Sequence, residues 1–395
     1  MRRRRVKPAL LALPLMLGAS LLSGCGSTPA AGDEADCPAG QVSRGGVCLP
    51  RDAAAFARAQ VQGSLTKSKL TASMAEVWTG GERVASVAAG ESMTGIPATP
   101  DMRFRNGAVA IPYLTTALLK LVDEGRVSLD DSISRWRPDL PHADAITLRM
   151  LASTTSGYAD YVRDPKFIAT LYANPFRQWT PQELVKMSVD RPLVREPGSG
   201  FAYSHANWQI LGDVIARVRD RPLGEVMREE IIDPLGLTGT SNPSTAEIPA
   251  PVLHAFDNER KVFEDSTYWD PSWTIAPGAV MTSTMTDMAK SFAAIGEGRL
   301  LTPESHKAQL TPVATIEPGT SYALGLVVQN GWILQNPSFA GYAATVAYLP
   351  AKKLAIATVT TQGKGSTVQN ASTDVLVALA NHLAPDHPLT LRRSG

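Results

Sequence analysis

Apolar residues follow different periods along the chain, and each change of period marks an element. The stretch DAAAFARAQVQGSL, from Asp52, has helical spacing. LTASMAEVWTGGERVASVAAG then alternates as two strands joined at Gly80-Gly81. From Pro112 to Glu124 apolar residues recur at helical intervals and Gly125 follows as a stop signal, which predicts a buried helix. Residues 126–268 read as helical segments cut by Pro and Gly, without strand-like alternation. After Ala276, SYALGLVVQ, YAATVAYLP and KLAIATVTTQ predict strands, and Ser366 to Leu383 a closing helix. The order predicts one domain over residues 52–388. An α/β layer made from both ends of the chain (52–125 and 276–388) encloses a mainly helical region, 126–275.

The N-terminus has a different logic. Arg2 to Arg5 precede the apolar run Ala9 to Leu22, which reads as a secretory signal. The run ends in Leu22-Ser23-Gly24-Cys25, which resembles a bacterial lipobox, so residues 1–25 are expected to direct export and Cys25 to carry lipid. Beyond it no stretch approaches the ~20 apolar residues of a membrane span, which leaves the lipid as the expected anchor on the outer face of a cell membrane. Residues 26–51 read as a tether, with order beginning near Asp52. Within it Cys37 and Cys48 bracket CPAGQVSRGGVC, and in an exported segment a local bridge is expected; the alternative is two unpaired thiols.

Charge narrows the partners. Lys and Arg number 38 against 37 Asp and Glu, a formal net charge of +1, so no overall field attracts nucleic acid. The membrane, through the N-terminal lipid, is the partner that these features lead one to expect.

Four stretches carry the chemistry. FRNGAVAIPYLTTALLKLVDEGRVSLDD resembles the Phe-Arg-x-Gly-Ser-x-x-Lys helix of the serine β-lactamases and penicillin-binding proteins, in particular their class C, D-aminopeptidase and esterase branch. ITLRMLASTTSGYADY, EPGSGFAYSHANWQILG and GAVMTSTMTDMAKSFAAI resemble three further landmarks of that family, in the same order. The resemblance spans residues 52–385 and implies a β-lactamase-like fold, an antiparallel sheet flanked by helices.

It also implies a Ser nucleophile with a Lys one helical turn on, whose amine takes the hydroxyl proton. The matching positions are Ala108 and Ile111. Ala offers no nucleophile and Ile no proton acceptor. The family's Tyr-x-Asn is met by Tyr203, Ser204 and His205. Its third motif, Lys or His two residues before Gly on an inner strand, is met by Gln335, Asn336 and Pro337. No neighbouring register, at Gly331 or Gly341, restores that motif.

The expectation is a member without the Ser-Lys pair, an inactive binding protein of the cell envelope. Its candidate ligand contacts are Ala108, Tyr203, His205 and Asn336, the last three offering polar groups. One alternative is an active hydrolase using Ser64, Ser153, Ser156 or Ser204; Ser64 is the one Ser followed by a Lys three residues on, Lys67. Another is a scaffold whose cleft is filled. No Gly-x-Ser-x-Gly elbow, metal-ligand spacing of His or Gly-rich phosphate loop is present, so neither cofactor nor metal is expected.

Overall fold

The computed structural model describes residues 37–391 apart from Ser244. The signal, Cys25 and the first part of the tether lie outside the described residues.

Period-2 alternation places the strands between two cores. In the strand Leu70–Thr79, Ala72 and Met74 join one apolar cluster and Ala75 and Val77 the other. Leu354–Gln362 divides likewise, with Ala355, Ala357 and Val359 on the first side and Leu354 and Ile356 on the second. These two strands pair antiparallel and bring the ends of the chain together.

The full sheet is ten-stranded. From one edge its order is Ala314–Glu317, Thr320–Tyr322, Val327–Gln329, Trp332–Gln335, Tyr342–Leu349, Leu354–Gln362, Leu70–Thr79, Glu82–Met93 and Ile96–Pro97, with Ser338–Phe339 pairing on Tyr342–Leu349. The helices Ala53–Ser68 and Ala371–Leu383 cover one face through Ala57, Val61, Leu376 and Leu379. On the other face Met285–Gly296 packs against the strands, and Ile111–Asp123 and His205–Arg219 join it in the first core, through Leu114, Leu118, Ile210, Met288 and Phe292.

Four expectations need correcting. Order begins well before Asp52: Gln41–Arg44 and Val47–Pro50 form a hairpin, tied by the Cys37–Cys48 disulfide. It docks because Leu49 is buried in the second core and because Gly45 and Gly80 meet backbone to backbone. A Cβ on Gly80 would stand 2.0 Å from the Gly45 oxygen.

SYALGLVVQ is two strands, broken where the Ala323 N–H donates to the Leu326 oxygen. The break carries Gly325 (φ +77) past the site helix, where a Cβ would come within 2.8 Å of Thr115 Oγ1. The closing helix starts at Ala371 rather than Ser366, since Ser366 Oγ and Asn370 Nδ2 donate instead to carbonyls of Ser68 and Asn336. Inside the helical region, Phe256–Asp257 and Glu264–Asp265 form a short strand pair.

Candidate functional site

The matching positions of the first motif sit at the start of the helix Ile111–Asp123. Pro112 has no N–H for an intrahelical bond, so the regular helix cannot extend back through Ala108. The chain instead makes a 3-10 turn, Gly107–Ala110, and Pro112 lies in the first turn of the α-helix, where no such bond is required. Ala108 is half-buried, whereas Ile111 is wholly buried.

The third motif folds against this turn. Gly107 adopts φ +53, and a Cβ there would stand 2.9 Å from Pro337 Cβ. Gln335, buried on its strand, donates from Nε2 to the Gly325 carbonyl at 2.6 Å and to the Tyr322 hydroxyl at 3.4 Å. A Cβ on Gly325 would in turn lie 3.1 Å from Ile111 Cγ2. Tyr322 packs on Phe201 at 5.4 Å between ring centroids, just before the second motif. First and third motif positions are thus in direct neighbourhood, and Tyr322 joins them to the loop that bears Tyr203. Where the motifs call for two amine or imidazole groups, the chain holds Ile111 and the neutral amide of Gln335.

Tyr203 Oη accepts a hydrogen bond from Trp208 Nε1 at 3.2 Å. Burial pushes its hydroxyl well above the ordinary phenol range and the nearby Asp160 charge adds to this, so it stays a neutral phenol. His205 opens the helix His205–Arg219. Its Nδ1 lies 3.0 and 3.2 Å from the two oxygens of Asp160, and its backbone N–H donates to the same carboxylate. The rings of Tyr203, Tyr161 and Trp273 surround it.

Asn336 is half-buried, and its main-chain oxygen accepts from Asn370 Nδ2 at 2.6 Å. Sequence reasoning passed over Asp160, although it lies inside the quoted stretch ITLRMLASTTSGYADY. The signal was the His at the family's Asn position: a half-buried imidazole calls for an acceptor.

Burial alone would raise the Asp160 carboxyl, but the charge and hydrogen bond of His205 override it and hold the group below the usual carboxylate range. A folded-state value below the unfolded one stabilises the fold above the unfolded carboxyl's pKa, and this is lost as pH falls through the folded value. His205→Ala is therefore expected to destabilise the protein by about 2–3 kcal/mol near neutral pH, because Asp160 would stay buried without its partner. Melting temperatures measured from neutral into the acid range should show the gap between wild type and variant narrowing toward acid.

The other candidate nucleophiles are committed elsewhere. Ser64, buried on the helix Ala53–Ser68, donates to the Val61 carbonyl and to Ser73 Oγ. Ser153 donates to the Arg149 carbonyl, Ser156 to Asn207 Oδ1 at 2.6 Å and Ser204 to the Ala159 carbonyl, and each has no exposed surface. Among the described residues no group of His, Cys, Asp and Glu is arranged to hold a metal, and no helix is long and apolar enough to cross a membrane.

An antiparallel sheet between two helical layers, with a helix start facing an inner strand and a tyrosine-bearing loop, defines a β-lactamase-like α/β fold. The chain belongs to the Beta-lactamase family, which it matches over residues 38–380. It is 29% identical over 262 residues to Protein Rv1367c of Mycobacterium tuberculosis, across 58% of this chain and 64% of that one. To the lovastatin esterase of Penicillium rubens it is 33% identical over 153 residues, 33% of this chain and 37% of the esterase. The chain thus spans less than two thirds of these relatives. In structure it is similar to a D-stereospecific amidohydrolase from Streptomyces sp., with TM-score 0.74 and 24% identity over 83% of this chain and 98% of that one, a likeness of fold.

Proposed function

We propose that this protein is a non-hydrolysing, ligand-binding member of its family, exported and held at the outer face of a bacterial membrane by lipid on Cys25. The observation that carries the reading is the paired loss at Ala108 and Ile111. A settled replacement explains both: an unpartnered lysine in this wholly buried position would be an uncompensated charge, whereas Ile111 stabilises by burial. The commitment of Ser64, Ser153, Ser156 and Ser204 to internal acceptors argues against a substitute nucleophile. Half-buried Ala108, Tyr203, His205 and Asn336 leave backbone and polar groups for a peptide or acyl-D-amino-acid fragment of the cell wall.

A second reading, a scaffold binding a protein partner, draws on the seating of Pro337 against Gly107 at the start of the site helix. Thermal-shift measurements with cell-wall fragments separate the two. Stabilisation that Tyr203→Phe or His205→Gln weakens supports the first, and none with any fragment supports the second. Anchoring has its own check. Cys25→Ser is expected to move the protein from the membrane to the soluble fraction, and an unchanged membrane fraction with unchanged mobility removes the lipid from the proposal.

A further inference from the structure

A cavity of about 240 Å³ lies between the helix Pro165–Ala173, the 269–273 loop and the turn that joins Ser338–Phe339 to Tyr342–Leu349. Neither Ala108 nor Tyr203 lines it. Three of its walls are aromatic and in mutual contact: Phe167 and Trp273 stand 5.8 Å apart between ring centroids, and Trp273 and Phe339 5.5 Å. Ring faces carry negative charge density and attract cations, the more so where water is scarce.

The polar groups have the same sign. Asp270, 8% exposed, lines the cavity, and its Oδ1 accepts from the Ser272 N–H at 2.8 Å. Glu259 stands at the rim, with Oε1 accepting from Gln369 Nε2 at 3.0 Å.

Among the described residues no Lys, Arg or His lines the space. The buried Arg105 guanidinium acts on Asp270 through the protein without forming an ion pair, and Arg260, paired with Glu264, lies over the Trp269 ring. Arg105 offsets part of the Asp270 charge; Glu259 is left uncompensated. An aromatic wall with surplus negative charge disfavours carboxylates and phosphates and suits a cation with an apolar body.

We propose that this cavity binds an organic ammonium group, a protonated or quaternary amine carried on a small aromatic or aliphatic body. At about 240 Å³ it lies under the roughly 300 Å³ at which drug-sized pockets begin, so it takes one such group rather than a chain. The proposal goes beyond the reading of the Ala108 site and does not depend on whether the protein hydrolyses anything.

The test is calorimetric titration of the purified chain with phenethylammonium, 3-phenylpropionate and 2-phenylethanol, which share a body and differ in charge. Phenethylammonium is expected to bind saturably at least about tenfold more tightly than either of the others. Glu259→Gln, at an exposed rim position, should remove most of that preference. Trp273→Ala should weaken all binding, with folding followed by circular dichroism. Equal binding of the three compounds, no binding by phenethylammonium, or a charge preference that survives Glu259→Gln would each overturn the proposal. Hydrolysis assays on the same preparation address the Ala108 site separately.

Discussion

Purified protein is expected to leave nitrocefin, p-nitrophenyl esters and D-alanyl peptides unconverted above a buffer control, and to resist labelling by fluorophosphonates and penicillins. The family's chemistry needs a hydroxyl at position 108 and a proton acceptor at 111, and the chain supplies a methyl group and a sec-butyl group. Loss of such a nucleophile lowers the rate by on the order of 10⁶, equivalent to roughly 8 kcal/mol of transition-state stabilisation. Tyr203 cannot stand in, because its phenol is held neutral and already accepts from Trp208. Nor is His205 paired with a serine: its Nδ1 faces Asp160. Turnover abolished by Ser64→Ala or Ser204→Ala would overturn this reading, since it would make one of those buried hydroxyls reactive.

Restoring the lysine alone is expected to damage the fold. Ile111 has no exposed surface and lies against Gly325, so Ile111→Lys would bury an amine beside apolar and backbone atoms. A buried lysine loses about 3–5 pKa units, which puts the destabilisation near neutral pH on the order of 4 kcal/mol. For a domain of this size that corresponds to a fall in melting temperature of roughly 5 °C. Ala108→Ser, at a half-buried turn position, should change stability little.

Combining the two gives the lysine amine a neighbouring hydroxyl whose proton it can take. The double variant should therefore label slowly with a fluorophosphonate, where neither single variant does. Its turnover stays far below that of a complete site, because Gln335 supplies no cation and Pro337 crowds Gly107. A double variant that folds and never labels would favour the filled-cleft scaffold.

Much of the fold was legible because local periods carry it. The helix Ala53–Ser68, the hairpin turning at Gly80-Gly81 and the helix ending before Gly125 each follow from spacing and stop signals within a dozen or so residues. The short strands 314–317, 332–335 and 338–339 were missed because two to four residues make no measurable alternation. The start of the closing helix was misplaced for another reason. Ser366 and Asn370 find carbonyl partners on segments 298 and 34 residues away, a competition that local propensity does not contain.

The sequence by itself determined the chemical identity of the site: which side chains stand at 108, 111, 203, 205 and 335–337, and hence that no hydroxyl and amine stand one helical turn apart there. A proline at 112 also limited the start of the site helix to two outcomes, a beginning near Ile111 or a distorted first turn, and the fold took the first, with a 3-10 turn ahead of Ile111. Tertiary structure alone decided what surrounds those positions. The Asp160 that fixes His205 is 45 residues away in the chain, the Gly325 carbonyl that Gln335 holds lies across a tight turn, and Pro337 reaches Gly107 only because the inner strand folds over the site helix. Burial of the four alternative serines is equally a product of packing. A hydroxyl's reactivity depends on the acceptors and water around it, and these are set where distant segments meet.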